Sequence, residues 1–483
     1  MPAQGTYLAA DLGGTNFRVC IVNLHGQSSY SVKQSKTAVP LALMTATSWK
    51  PLFTFLAQRI QEFLKDHDHA FASVVKKSPQ AFRGLAFTFS FTYEQTSLSA
   101  GKLLRWDKGF HIPSAVGLDP CGMLQEELNA LNVPVLVSAL ANDTVGTYMA
   151  HQYVTRGKAI VGAVFGTGTN GAYLEKMSNI SKIQGQNYEG ADDRMVINTE
   201  WGAFDDATHQ LLVTTFDEQL DRASFNPGEQ RYEKLVSGMY LGEIFRRALV
   251  AARDRASPEN ISRLQEDSPL FHEWEIPTSL LSTLANYSAS SHALTKRALC
   301  RALEVDNLTD EEVRGMTVLA NSIGLRAARL AGVAISAVII KTGALQAVSR
   351  TGPLKSKAVS VLFERRRPHT LLARLLRVAE ICWRRISKGF AYFPWHFCGH
   401  GQVKQIWSPA ANEDSLDVGL EGTLAASYPG FTEAVRSTFC DVEGIGKKGN
   451  RRIRMAMVVN GSSVGTALIA KAAEQQANVG KLQ

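Results

Sequence analysis

The stretch YLAADLGGTNFRVCIVN (7–23) reads as two short strands around a glycine turn: Tyr7–Ala10, then Asp11–Asn16, then Phe17–Asn23. Apolar and β-branched residues flank a turn too short and too rich in glycine for a helix. The same pattern returns in AIVGAVFGTGTNGAYLE (159–175), where the loop Gly166–Gly171 separates strand-like Ala159–Phe165 from Ala172–Glu175. Strand, Gly/Thr/Asn loop, strand, met twice, predicts two related α/β units that each offer a loop to one ligand.

Working outward, 49–65 carries Trp49, Leu52, Phe53, Leu56, Ile60, Phe63 and Leu64 at helical spacing. Strand-like 84–91, helix-like 119–131, strand-like 133–140 and helix-like Val145–Tyr153 follow. This alternation favours an α/β fold with mixed sheets. Residues 230–345 read as mostly helical, most clearly at Leu241–Ala251 and Met316–Ile340. The chain closes with a strand (Met455–Val459), a Gly/Ser turn (Asn460–Ser463) and a helix (Gly465–Gln475).

A content of 45% apolar and 20% charged residues is that of a globular chain and argues against wholesale disorder. No apolar run reaches the roughly 18–20 residues of a membrane span, and no basic segment precedes an apolar one at the N-terminus, so neither a transmembrane segment nor a signal peptide is read. Six scattered cysteines fit reduced thiols and a cytoplasmic chain. The net charge of +8 invites a nucleic-acid reading, but residues 344–410 hold twelve Lys or Arg against Glu364 and Glu380 alone. The rest of the chain is slightly acidic, and nucleic acid is not an expected partner.

Both glycine loops suit phosphate. Glycine lets backbone N–H groups converge on anionic oxygens, and Thr and Asn add donors. Asp11, an acid at a strand end beside such a loop, suits Mg²⁺ held through water. The loop at 166–171 also matches G-x-G-x-x-G, but a dinucleotide fold needs that motif to open a helix, and Ala172–Glu175 reads as strand. Further on, Val133–Leu140 ends in Asn142-Asp143-Thr144. Asp143 has a bland reading as a helix N-cap and a functional one as general base toward a hydroxyl. Acids in 198–202 and 226–233 suit paired hydroxyls, and 87–91 with 105–110 supply apolar walls and a cation.

Together these stretches resemble the hexokinase/glucokinase family: LAADLGGTNFRVCIVNLHG (8–26), LAFTFSF (85–91), LLRWDKGF (103–110), ANDTVGT (141–147), VFGTGTNGAYLE (164–175), INTEWGAF (197–204), NPGEQRYEKLVSGMYLGE (226–243) and NGSSVGTALIA (460–470). The resemblance implies a two-lobed actin-like (ribonuclease H-like) sugar kinase fold of α/β class, with a cleft between small and large domains. The small domain would be 1–139 plus 460–483 and the large one 140–459. It implies ATP-dependent phosphorylation of a hexose, glucose foremost, at the 6-hydroxyl, the first step of glycolysis, with ATP and Mg²⁺. By matching position Asp143 is the catalytic base, assisted by Lys108. Ser90, Phe91, Lys108, Asn142, Asn170, Glu200 and Glu233 bind the sugar. Asp11, Gly13, Gly14, Thr15, Asn16, Arg18, Gly166, Thr167, Gly168, Gly422, Thr423, Gly461 and Ser462 face the nucleotide.

The sequence departs from that pattern at Thr92, Asp107, Glu421 and Ser463, where the family has Pro, Thr, Asp and Gly. Asp107 sets an acid beside Lys108, and Ser463 costs backbone freedom in the last turn. A sugar-binding sensor with little turnover is the competing function. Family members also carry several dozen residues before the first strand. Residues 344–414 stand where the family has a short connection. There, 371–386 reads as a basic amphipathic helix for an anionic membrane surface or a calmodulin-like partner, against the plainer reading of a disordered insertion or translated non-coding sequence. His396, Cys398 and His400 lack a fourth ligand or a recognised metal spacing. The sequence does not choose between monomer and homodimer.

Overall fold

A computed structural model describes residues 4–67, 83–183, 193–253, 267–345 and 415–479. The expectations for 371–386 and for His396, Cys398 and His400 therefore lie outside the described residues.

Two five-stranded sheets carry the fold. The first joins β1 (Gln4–Leu12), β2 (Asn16–Gly26), β3 (Ser29–Ala38), β4 (Arg83–Phe89) and β7 (Val135–Ala141) in the order β3-β2-β1-β4-β7. The second joins β8 (Ala159–Phe165), β9 (Thr169–Lys176), β10 (Arg194–Asn198), β11 (Leu416–Glu421) and β12 (Ile453–Met457) in the order β10-β9-β8-β11-β12. In each, the first three strands form an antiparallel meander and the last two run parallel to the first. Identical strand order and direction extend the repeat seen in the glycine loops to the whole sheet. A separate hairpin, β5 (Thr92–Ser97) and β6 (Ala100–Arg105), hangs from the end of β4.

The helices that bear on the site are α1 (Lys50–His67), α2 (Pro120–Ala130), α3 (Asp143–Thr155), α4 (Arg231–Val236), α5 (Asp310–Lys341) and α6 (Gly461–Val479). On α1, Leu52, Phe53, Leu56, Ala57, Ile60, Phe63 and Leu64 form one buried stripe. Each large side chain buried there contributes about 1.5–3 kcal/mol. With α2 and the inward faces of β1, β2 and β4 they form the first core. The other face of that sheet packs on α6 and α3 through Ala9, Cys20, Ala86, Ala139, Ala150, Val464 and Ala467, a layer of small residues that permits close approach. The second sheet has its own larger core, built with α4 and α5.

Two differences from the sequence reading have clear causes. Asp11 lies inside β1, paired with Arg18, so the first turn is shorter than the composition suggested. Thr169, Asn170 and Gly171 likewise belong to β9, because their backbones pair with β8. The G-x-G-x-x-G motif therefore opens a strand, and the dinucleotide reading falls.

Candidate active site

Four chain segments converge between the sheets. The β1–β2 turn brings Gly13, Gly14, Thr15 and Asn16, and the β8–β9 turn brings Gly166, Thr167 and Gly168. The end of β11 brings Gly422 and Thr423, and the start of α6 brings Ser462. All of these line one cavity of about 530 Å³, together with Asp11, Arg18, Ser90, Lys108, Asp143 and Asn170. The two glycine turns come close enough that a Cβ on Gly14 would lie 3.0 Å from Thr167 Cγ2 and from Lys108 Cδ. A Cβ on Gly168 would lie 2.6 Å from Glu233 Oε2 and 2.7 Å from Lys108 Cε. Across the cleft, a Cβ on Gly14 would crowd Thr167 and one on Gly168 would crowd Lys108, so glycine at both positions permits this close approach.

Asp143 is the first residue of α3. The cap itself is Asn142, whose Oδ1 accepts from Thr144 N at 3.0 Å and from Thr144 Oγ1 at 2.7 Å. The bland role proposed for Asp143 thus belongs to its neighbour. Asp143 Oδ1 accepts from Thr144 N at 2.7 Å, at a helix N-terminus whose dipole favours the anion, and its side chain faces the cavity.

Asp11 is buried beneath the first turn. Its Oδ2 accepts from Arg18 Nη1 at 2.9 Å and from Ser462 Oγ at 3.0 Å. Burial pushes its carboxyl up, and the Arg18 charge opposes that push. Among the described residues, Asp11 Oδ1 is buried without a hydrogen-bond partner. An acceptor held open beside two phosphate-type turns fits a hydrated divalent cation.

The residues that the resemblance assigns to the sugar form a web of amides and acids. Asn170 Nδ2 donates to Asn198 Oδ1 at 2.7 Å and to Glu200 Oε1 at 2.9 Å, and Asn198 Nδ2 donates to the same Glu200 oxygen at 2.7 Å. Glu233, on α4, accepts from Thr169 N at 2.8 Å. Burial, and next the Asp107 charge, push its carboxyl up to about 8, while Lys108 acts against them. The Lys108 ammonium donates to the Ser90 carbonyl and lies 5.6 Å from the centre of the Phe91 ring, which sits in an aromatic cluster with Trp106 and Phe110. Lys108 and Glu200 both have positive φ, 55° and 49°, a strain of the kind that gathers at functional sites. Among the described residues, Ser90 Oγ, Asp107 Oδ1 and Glu233 Oε1 are buried without hydrogen-bond partners. Of the three, Ser90 lines the cavity, and an open hydroxyl there suits a hydroxyl-bearing ligand.

Some expected residues sit differently. Gly461 does not line the cavity; it packs beside Glu421, where a Cβ would lie 2.7 Å from Glu421 Oε2. Gly461–Ser463 are the first residues of α6 rather than a turn. Ser463 is buried, and Cys20 Sγ donates to its Oγ at 3.6 Å, so the backbone freedom of a glycine is not needed there. Asp107 Oδ1 lies 3.9 Å from Lys108 Nζ, which makes an ion pair without a hydrogen bond. Asn142, Phe91, Glu200 and Glu233 lie behind the cavity wall rather than on it.

Two residues were missed. Asn198 ties Asn170 to Glu200, and its only signal was its place in INTEWGAF. Glu421 was read merely as a departure. Its Oε2 accepts from Thr147 Oγ1 at 2.5 Å and Ser462 N at 3.0 Å, joining α3 to α6. Burial pushes its carboxyl up to about 7.

Two family models, each described as hexokinase, match residues 2–153 and 160–472. The chain belongs to the hexokinase family. The glucokinase of Aspergillus niger is 36% identical to this hexokinase-family chain over 98% of it and 86% of its own length. Glucokinase-1 of Saccharomyces cerevisiae is 33% identical, covering 97% and 84%. Among solved structures, the hexokinase of Schistosoma mansoni complexed with glucose superposes with a TM-score of 0.71 at 27% identity, covering 97% of this chain and 85% of that one. The two sheets thus form an actin-like sugar kinase fold, and the reaction of the chain is ATP-dependent phosphorylation of a hexose.

Proposed function

We propose that the chain transfers the γ-phosphoryl group of ATP to the 6-hydroxyl of glucose, with Asp143 as general base. The hydroxyl oxygen forms the new P–O bond, its proton passes to Asp143, and the bond to ADP breaks. The observation that carries this reading is the position of Asp143. It stands at a helix N-terminus, facing a cavity that both glycine turns line. A base at that place meets a hydroxyl and a phosphoryl group together, and phosphoryl transfer asks a protein for little beyond such positioning and charge neutralisation.

The sugar identity is supported by relatives named glucokinase and by a neighbour solved with glucose. Asn142, Asn170, Glu200 and Glu233 would take sugar hydroxyls from one lobe, and Ser90 and Lys108 from the other, with Phe91 behind Lys108. Backbone N–H groups at 13–16 and 166–168 would cradle phosphates, with Arg18 as cation and Gly422, Thr423 and Ser462 beside the nucleotide. Asp11 would hold Mg²⁺ through water; when bound, that ion neutralises charge on the β- and γ-phosphates. Contact between the glycine turns keeps water from the transferred group.

The test is glucose 6-phosphate formation by a coupled assay in Asp143→Asn. We expect kcat to fall about 10²–10⁴-fold, as for a lost general base, with KM for glucose changed little. Turnover near the wild-type rate would refute the assigned base.

A further inference from the structure

Glu200 and Glu233, the two acids assigned to the sugar, sit on separate elements, and a carboxylate unused so far ties those elements together. Asp206 Oδ2 accepts from Gln230 N at 2.9 Å, and its Oδ1 accepts from Arg231 N at 2.8 Å. Gln230 and Arg231 are the cap and the first residue of α4, whose third residue is Glu233. Asp206 does not line the cavity between the glycine turns. Nor does it line a second one of about 590 Å³ between the lobes, which Trp106, Phe110, Phe225, Tyr240 and Trp274 wall with aromatic rings. Any effect of Asp206 on a ligand passes through other residues.

The helix needs this support. With six residues α4 is too short to be stable alone, and Gln230 gives it no side-chain cap. Gln230 also has a φ of 55°, a left-handed conformation that costs energy for a residue with a Cβ. The first N–H groups of a helix lack partners within it, and the Asp206 carboxylate takes two of them, with a charge that suits a helix N-terminus. On its other side Asp206 is fixed to Glu200. Ala203 N donates to the Glu200 carbonyl at 3.1 Å and Asp206 N to the Ala203 carbonyl at 3.3 Å, two tight turns in succession. The two pieces also pack directly on each other: a Cβ on Gly202 would lie 2.3 Å from Gln230 Oε1 and 3.3 Å from Glu233 Cβ.

We infer that Asp206 is a positioning residue for the sugar, setting Glu233 against Glu200 so that both carboxylates are in place before the ring arrives. The inference rests on the hexokinase reading, in which these two acids hold sugar hydroxyls. Without Asp206 the start of α4 loosens. Glucose then binds only the fraction of molecules in which Glu233 is in place, and its apparent affinity falls by that fraction. The nucleotide side feels this less. Gly238 N donates to the Gly166 carbonyl at 2.8 Å and Met239 N to the Thr167 carbonyl at 3.2 Å, so the second glycine turn is held from beyond the far end of α4.

The experiment measures kcat, the KM for glucose and for ATP, and the calorimetric Kd for glucose without ATP, in the full chain as wild type, Asp206→Ala and Asp206→Asn. Asp206→Ala should raise the KM and Kd for glucose about fivefold, the weight of a lost helix cap, with kcat and the KM for ATP held within about twofold. Asp206→Asn keeps the shape but turns an amide N–H toward a backbone N–H. It should weaken glucose in the same direction, and it decides the matter if the alanine variant does not fold. A merely structural role would lower the melting temperature and leave the glucose Kd of the folded protein still. An unchanged glucose Kd in a folded variant, or equal rises in the KM for glucose and for ATP, overturns the proposal and leaves the hexokinase reading standing. A wild-type chain that neither binds nor phosphorylates glucose overturns that reading and this inference with it.

Discussion

The β1–β2 and β8–β9 hairpins hold the same place in two sheets of one strand order, yet their facing residues have parted. Near the turn of the first, Asp11 sits opposite Arg18; near the turn of the second, Val164 sits opposite Asn170. Both turns keep glycine, and both line the same cavity. The first hairpin became charged, and its ion pair and open Oδ1 suit a metal-bound phosphate. The second became an amide platform, with Asn170 wired to Asn198 and Glu200, an arrangement that would suit neutral hydroxyls. One backbone motif thus supplies two chemistries, and what separates them is side-chain polarity one or two residues from the turn.

That comparison breaks most sharply at Asp11. Asp11→Asn keeps the shape and removes the charge that would hold the hydrated metal and that Arg18 pairs with. We expect a 10–100-fold loss in Mg²⁺ affinity or kcat, the size found when an outer-shell partner of a metal is lost. The KM for glucose should stay within a few-fold. A titration of initial rate against Mg²⁺ at saturating glucose checks this. An unchanged Mg²⁺ dependence would remove the metal from the first hairpin.

The mirror experiment is Asn170→Ala. It strips donors from Asn198 Oδ1 and Glu200 Oε1. Each oxygen keeps another donor, Thr144 Oγ1 and Asn198 Nδ2, so the main loss is the amide offered to the sugar, about 0.5–1.5 kcal/mol, and the KM for glucose should rise roughly two- to tenfold. The KM for ATP should hardly move. If Asn170→Ala weakened ATP and glucose equally, the proposed split between the two hairpins would fail.

A gentler probe uses pH. The Glu233 carboxyl keeps its proton to about 8 in the folded chain, against an ordinary 4.5. Between those values the folded state binds more protons than the unfolded one, so this group makes stability fall as pH rises from about 4.5 to about 8. Glu233→Gln removes that slope. Thermal melts of the sugar-free protein across pH 5–8 (roughly the window of the shift) should therefore decline less steeply in the variant. Equal slopes would show that Glu233 is ionised in the free protein.

The sequence made much of this legible because glycine turns, strand alternation and the Asn142-Asp143 junction are local signals. The α1 stripe and β8 were read within a residue or two of their ends. What escaped is what tertiary contact creates. Asn198 and Glu421 matter through partners on other elements, and the aromatic cavity is assembled from both lobes. The start of α6 escaped for a different reason. Gly-Ser-Ser has poor helix propensity and reads as a turn, but small residues are required where α6 crosses α3. A Cβ on Gly465 would lie 1.8 Å from the Gly146 carbonyl oxygen, and one on Gly146 would lie 2.4 Å from that of Ser462. Packing between the two helices overrode propensity.

Ser463 gives the smallest effect and tests that explanation directly. Were 460–463 a turn needing glycine, Ser463→Gly would relieve strain and raise turnover. In the structure Ser463 is helical and nearly buried at the edge of the first cavity, with its hydroxyl turned toward Cys20 of the first hairpin. Glycine there removes a side chain from a packed layer and adds backbone freedom to the unfolded chain, a cost of about 1 kcal/mol. The variant should melt slightly lower and keep the wild-type kcat and KM for ATP. A gain in turnover would restore the turn reading and put the start of α6, with Ser462 and its bond to Asp11, on a mobile segment. The first hairpin would then owe its charged character to a loop rather than to a helix end.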